Sequence, residues 1–575
     1  MSGWDDRQEG PLRLGPLLRY VDATSATIWV ETAEAAEVRV EAGDVSAAAR
    51  TFRAHDHHYA LVEVTGLPEG TATPYRVLVD GTQVWPDEQD PAFAEFPPPV
   101  IPTLRPGKPL RMAFGSCRVS VSHDREGTEA FGVDALRAYA LRMAGLTGEP
   151  GHWPDLVVFL GDQVYADDTS PLMKEFIKAR RDPEQPPWTE LKDFQEYAHL
   201  YRLAWSDPAN RWLLSTLPSA MIFDDHDIRD DWNTSHDWRR EMEATDWWHE
   251  RVVSGLGSYW VYQHLGNLGP QDRAEDRLWQ RIATHDGPVE LDVTDELDRL
   301  ADDADQRPET YRWSFSRDFD TQARLVVVDS RAARVLQPDR RSMLDPGEVA
   351  WLDERLRGDV DHLLIGTSLP VLLAPALHHA EALSEALAQK RFGSLLGRFG
   401  EWVRTTADLE HWAAFQEGFT DVGRMTVEVA SGQRGRTPRS VTFLSGDVHH
   451  SYVAEAWADP ATGATLESAV VQATCSPIRN PLPAFMKGFL KVAALGRARP
   501  TGRLLAGRVP RSPLRWEVTQ GPWYDNNLAV LELQEQQLHF TWARGVVDGE
   551  RYDRARLERV ATVDVPLGER SRVRR

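Results

Sequence analysis

Residues 155–165 read DLVVFLGDQVY. The apolar residues from Leu156 to Leu160 follow one another with no polar residue between them. A strand with one wet face alternates, whereas an unbroken run of this length belongs to a strand covered on both faces, as in parallel sheets. The pattern recurs in RMAFGSC (111–117), SAMIFDD (219–225), ARLVVVDS (323–330), HLLIGTS (362–368) and VTFLSGD (441–447). Helical stretches lie between these runs. DPGEVAWLDERLR (345–357) offers Asp345 as N-cap, Pro346 at the first helical position and Glu348 at the third. HHAEALSEALAQKRF (378–392) reads as helix from its Ala and Leu content. Strands alternating with helices predict an α/β domain.

Outward from this core the pattern changes. Up to about residue 104 the chain reads as all-β. ATSATIWVET (23–32), AEVRVEA (36–42) and HYALVEV (58–64) alternate, and Asp80-Gly81 sits between two short runs as a hairpin turn. This predicts an N-terminal β-sandwich over 1–104. FPPPVIPTLRP (96–106) closes it as a stiff connector. The second domain is placed at 105–563. It includes an acidic, Trp-rich insertion at about 232–310, whose part from 266 to 308 lacks strong apolar periodicity and reads as inserted or mobile. Residues 564–575, ending GERSRVRR, read as a basic, disordered tail.

The chain has 575 residues, more than one ordinary core accommodates, with 42% hydrophobic and 27% charged residues. A formal net charge of -23 argues against nucleic acid or an anionic membrane as partner. It does not exclude a small anionic substrate, because a bound cation inverts the local sign. Two cysteines, Cys117 and Cys475, cannot make a disulfide framework. MSGWDDRQEG (1–10) has no basic region followed by an apolar run, and no run is long enough to span a bilayer, so the expectation is cytoplasmic residence. Oligomeric state is not legible.

Four apolar runs end in chemistry: Cys117; Asp162 and Tyr165; Asp225 and His226; Asp447 and His449. Ligands bind at the carboxyl ends of strands in open α/β sheets. Each ending has an ordinary reading by itself: a Gly-Asp turn, a small buried thiol, a packed phenol, a solvated loop. Together they put a thiol, a phenol, carboxylates and imidazoles in one place. Such a set is costly to bury unless a metal stabilises its deprotonated forms.

FGSCR (114–118), LGDQVYAD (160–167), FDDHD (223–227) and LSGDVHHSY (444–452), in that order, resemble the alkaline phosphatase D family of calcineurin-like metallophosphoesterases. The resemblance runs from about residue 111 to the last strand, and the preceding β domain is also similar to what that family carries. It implies a four-layer α/β/β/α sandwich with an N-terminal fibronectin type III or immunoglobulin-like sandwich. It also implies metal-dependent hydrolysis of phosphate mono- or diesters, by a metal-activated hydroxide at a binuclear centre. Cys117, Asp162, Tyr165 and His449 would hold one metal, and Asp162, Asp225 and Asp447 the other. Thiolate and phenolate suit Fe3+, and an oxygen-rich set suits Ca2+, with Mn2+, Mg2+ or Zn2+ as alternatives. His226 would protonate the leaving group or contact phosphate, with Asp227, or else Asp224, orienting it.

Arg118 and Trp232 are candidates for substrate binding, a guanidinium for phosphate and an indole for a hydrophobic wall. The ordinary readings are a salt bridge for Arg118 and core packing for the tryptophans. Arg229 reads as balancing Asp227, Asp230 and Asp231, and Asp168, Asn233 and His236 as pocket rim. His450 faces the other way from His449. Many metallophosphatases carry a histidine ligand after a middle strand; HLLIGTSLP (362–370) ends without one, and His378 and His379 come later, in the expected helix. A non-catalytic metal-binding or adhesion protein that keeps the fold is the alternative reading.

Overall fold

The computed structural model describes residues 10–337, 340–375, 377–379, 381–382, 410–482 and 511–568. The N-terminal strands form two sheets. Leu12–Val21, Ser25–Thr32, His57–Thr65 and Phe52–Ala54 make one; Val45–Arg50, Glu37–Ala42, Ala72–Val79 and Thr82–Trp85 make the other, with Val100–Pro102 added to Ala72–Val79. Ile28, Val30, Val38, Val40, Val62 and Val77 fill the space between them, as alternating strands require. Asp80 and Gly81 both have positive φ, 48° and 80°, the conformation a two-residue hairpin loop needs. This is the expected all-β sandwich.

The remaining chain builds two larger sheets. Arg111–Gly115, Leu156–Leu160 and Ser219–Ile222 run parallel, and Asn527–Leu533, Gln537–Val546 and Arg556–Pro566 continue that sheet antiparallel. In the second sheet Ala323–Val328, His362–Thr367, Ser440–Ser445 and Ala469–Thr474 are parallel at the centre. Phe315–Phe319 flanks them on one side, and Ser451–Ala458 and Leu514–Trp523 on the other. Leu160 and Leu531 of one sheet share a core with Leu364, Leu444 and Val471 of the other, so the sheets face each other. The helix Ala135–Met143 covers the first sheet. The helices Pro346–Arg355 and Gln416–Ala430 cover the second. The order of layers is α/β/β/α.

Two expectations about the periphery are corrected. Residues 266–308, read as inserted or mobile, carry regular secondary structure. They form the helices Pro270–Glu275, Arg277–Ala283 and Thr294–Gln306, and the short strand Leu291–Asp292 pairs with Phe52–Arg53 of the sandwich. The buried apolar residues of Thr294–Gln306 are Leu297, Ala301 and Ala304, with Leu300 half-buried beside them, a stripe that does not stand out among its acids. The last strand runs to Pro566, into the assigned tail, while residues 569–575 and most of 378–392 lie outside the described residues. The tryptophans at 205, 212, 232 and 260 are fully buried. Both cysteines are free and buried. Among the described residues no helix is long and apolar enough to cross a membrane.

Candidate active site

Parallel strands bring their carboxyl ends to one edge, and here the two sheets do so side by side. The turns after Gly115, Leu160 and Ile222 meet those after Val328, Thr367 and Ser445. Gly161 makes the approach possible. Its φ is +100°, and a side chain there would lie 2.7 Å from Cβ of Asp224 and 3.0 Å from Cβ of Ser368. Cys117, Asp162, Asp447 and His449 all hold left-handed backbone, with φ of 57°, 51°, 62° and 50°. Each such residue costs roughly 1–2 kcal/mol, and strain of this kind gathers where geometry is fixed for function.

Four carboxylates converge. Ligand oxygens of Asp162, Asp224, Asp225 and Asp447 lie within 4.8 Å of one another, and Asp162 and Asp225 form a second such group with His226. The Cys117 thiol is fully buried, 3.4 Å from Oδ2 of Asp162, and touches the Ser116 and Ser476 hydroxyls at 3.2 and 3.3 Å. The Tyr165 hydroxyl accepts from Nδ2 of Asn480 at 3.0 Å, and its ring lies 4.6 Å from that of His226. His449 is placed by its backbone N–H on Oγ of Ser476, and its side chain belongs to neither carboxylate group.

The cations around this cluster escaped the sequence reading. Arg331 is wholly buried. It donates through Nε to Asp224, lies 3.1 Å from Oδ1 of Asp225 and grips Glu410 with both terminal nitrogens. Nε2 of His411 lies 3.3 Å from Oδ2 of Asp447, and its Nδ1 is 3.0 Å from Glu381. His411 thus comes from a distant part of the chain to pair with Asp447 and Glu381.

Electrostatics show how crowded the cluster is. Burial, with the charges of Asp224, Asp225 and Asp227, lifts the Asp162 carboxyl well above the usual range. Burial lifts Asp225 likewise, and Asp224 to about 6 despite Arg331. Cys117 and Tyr165 are pushed well up, first by burial and then by their anionic neighbours. Oδ1 of Asp162 and Oδ2 of Asp224 are buried and accept no hydrogen bond. Oxygens left bare among like charges fit a site for polyvalent cations, which would stabilise the ionised forms.

Three expected roles do not match their surroundings. Asp227 does not face His226. Its Oδ2 accepts the backbone N–H groups of Asp162 and Asp224 at 3.0 and 2.9 Å, and its Oδ1 accepts Nε2 of Gln263 at 3.0 Å. The partner of His226 is Asp167, both of whose oxygens lie 2.9 Å from Nδ1. Burial would raise Asp167, but the imidazolium holds it down to about 2, and His226 is raised in turn. Arg118 is buried against Asp134 at 2.8 Å and against the carbonyl of Ala204, so it does not line the site. Trp232 is 1% exposed, edge-on to Phe223, and is core rather than wall.

Of the lesser candidates, Arg229 pairs with Glu190 rather than with its neighbouring aspartates. Asn233 is buried, with Nδ2 on the carbonyl of Arg331, while Asp168 and His236 are exposed. His450 turns back to the carbonyl of Val448 at 2.7 Å.

Comparison with known proteins follows the same division of the chain. Residues 9–101 match a family model described as a domain of unknown function (DUF7800). Residues 140–490 match the model of the PhoD-like phosphatases. No curated protein matches the chain. A solved structure described as that of PhoD superposes with a TM-score of 0.58 at 14% identity, covering 98% of this chain and 92% of that one. A pullulan hydrolase from Thermococcus kodakarensis and a maltogenic amylase from S. marinus, at 12% and 9% identity over 96% and 93% of this chain and 97% and 78% of theirs, reach a TM-score of only 0.13 and carry no argument. The PhoD superposition establishes the shared fold, and the phosphatase model covers well over half of the sequence with the strand-end motifs inside or beside it: the chain belongs to the PhoD-like phosphatase family, a family of phosphoester hydrolases.

Proposed function

We propose that the convergent strand ends form a two-cation centre that hydrolyses small phosphate esters. The observation that carries this reading is the buried group Asp162, Asp224, Asp225 and Asp447, which repels an anionic substrate unless cations reverse its sign. Asp162, Asp225 and Asp447 suit a hard ion such as Ca2+ or Mn2+, with Asp224 beside them. Cys117, Tyr165 and His449, together with Asp162, would suit Fe3+. When bound, the cations supply Lewis-acid charge for the phosphoryl oxygens and make water acidic enough to serve as nucleophile near neutral pH.

The chain's own groups do the rest. Nδ1 of His226 is held by Asp167, which leaves Nε2 directed away from that carboxylate, and the side chain is 24% exposed where the carboxylates are closed in. In this reading it gives a proton to the departing ester oxygen. Asp227 ties the Asp162 and Asp224 amides together, which fixes the spacing of the two carboxylate-bearing turns. His411 and Arg331 hold Asp447, Asp224 and Asp225 in orientation.

The test is hydrolysis of an aryl phosphate and a bis-aryl phosphate by metal-loaded protein, with metal counted by mass spectrometry. Asp162→Asn should lose both metal and turnover. Full activity in that variant would overturn the reading, and tight metal with no turnover on any ester would favour the non-catalytic alternative.

A further inference from the structure

A fully buried arginine of the N-terminal sandwich is hydrogen-bonded into the catalytic domain behind the active site. Arg19 lies on the strand Leu12–Val21. Its Nη1 donates to the carbonyl of Tyr262 at 2.9 Å, and its Nη2 to the carbonyl of Gln263 at 2.6 Å and to Oδ1 of Asn267 at 3.1 Å. Its Nε donates to the carbonyl of Ser219 at 3.3 Å, where the strand leading to the acidic motif begins. All of these acceptors are neutral. Burying a guanidinium without an ion pair is a costly way to dock two domains, since apolar contact would serve. What it adds is a set of directed hydrogen bonds.

Their target is unusual. The helix Trp248–Tyr259 continues into a π-turn, Trp260–His264, where the backbone takes an extra residue per turn. The carbonyls gripped by Arg19 lie at this C-terminal end, where the helix dipole favours a cation. Two more sandwich residues meet the same turn: Glu31 accepts the Tyr262 hydroxyl at 3.0 Å, and the Tyr59 hydroxyl donates to that of Tyr262 at 3.0 Å. Gly266 clears the way, because a Cβ there would lie 2.5 Å from Nε of Arg19. The π-turn in turn points Gln263 inward. Its Nε2 lies 3.0 Å from both the Tyr201 hydroxyl and Oδ1 of Asp227, and the other oxygen of Asp227 receives the amides of Asp162 and Asp224.

We propose that the N-terminal sandwich is a positioning element of the active site. Arg19 fixes the π-turn, Gln263 fixes Asp227, and Asp227 fixes the two turns that carry Asp162, Asp224 and Asp225. This assigns a role to the segment matched by the DUF7800 model, and it rests on the reading of those turns as the hydrolytic centre.

The experiment uses the full chain with Gln263→Leu, Arg19→Met and Gly266→Ala. Wild-type protein is assayed first on the aryl phosphate. An inactive wild type would refute the hydrolytic reading, whereas an active wild type with insensitive variants would refute the positioning role alone. Per folded molecule, Gln263→Leu should lower kcat by about tenfold, the scale of one buried hydrogen bond to a charged group, with KM within about threefold. Deuterium exchange over 155–165 and 219–228 should quicken in the same variant without added substrate. Arg19→Met should reproduce both changes, and combining it with Gln263→Leu should add little, because both act on one route. If Arg19→Met does not fold, Gly266→Ala, which displaces the same guanidinium, decides. Folded variants with wild-type kcat and wild-type exchange would overturn the proposal.

Discussion

His226 stands where the buried acids meet solvent, and Asp167 decides which way it faces. If His226 is the proton donor, its removal matters most when the departing oxygen is a poor leaving group. His226→Ala should cost roughly 10²–10⁴ in kcat for an alkyl phosphate and far less for a nitrophenyl ester, a difference that steady-state rates on the two substrates would show. Asp167→Asn should be milder and should move the pH profile. Asp167 raises His226, so its loss lowers that pKa, and the alkaline limb, which needs the protonated imidazole, shifts to lower pH. An unmoved limb would separate Asp167 from the proton transfer. At this scale the sequence was legible where a carboxylate or imidazole ends a buried strand, as at Asp162, Asp225, His226 and Asp447. It misled over Asp227, because adjacency suggested a partner for His226, whereas the tight turn Asp225–Asp227 swings that carboxylate back onto the amides of Asp162 and Asp224. Arg331, Glu381 and His411 left no local signal, since only tertiary structure brings them to the acids.

At the scale of elements, unbroken apolar runs revealed the parallel strands, and alternation revealed the sandwich. The helix Thr294–Gln306 was missed because its short stripe of two leucines and two alanines is interrupted by acids. Beside it, the edge of the sandwich is latched by histidines. His55 meets Asp298, His57 meets Glu31 and His58 meets Glu290, at 2.7 to 2.8 Å. Burial opposes the charge on His57, but Glu31 and Gln195 outweigh it and raise its pKa above 6.5. A raised pKa contributes stability that is full below the unfolded value near 6.5 and fades as pH climbs through the folded value. The gap in thermal midpoint between wild type and His57→Gln should therefore be widest near pH 6 and narrow toward pH 8. A gap independent of pH would mean that the pair is neutral.

For the whole molecule the balance runs the other way at the centre. Burial, with crowding by other acids, raises Asp224 to about 6 and Asp227 to about 7, so protons can stand in for cations below those values. Metal-stripped protein should lose stability as pH rises from 6 to 8, while metal-loaded protein should not, and chelation should lower the thermal midpoint more at pH 8 than at pH 6. Equal losses at both values would show that the acids are not what the metal neutralises. One feature of the architecture then takes on a mechanical meaning. Among the described residues the two large sheets share a core and pair no strand with strand, although a backbone bridge from Arg118 to Arg479 links the segments that follow two of their strands, and the acids come from both sides of the seam: Asp162, Asp224 and Asp225 from one, Asp447 from the other. A cation held by these acids would act as a rivet, with the Arg331–Asp224 pair as a second fastening across the same joint. Catalysis and cohesion would then depend on the same few ångströms, and a calorimetric scan of the stripped protein, with Arg331→Met, should resolve into two transitions where the loaded wild type melts as one.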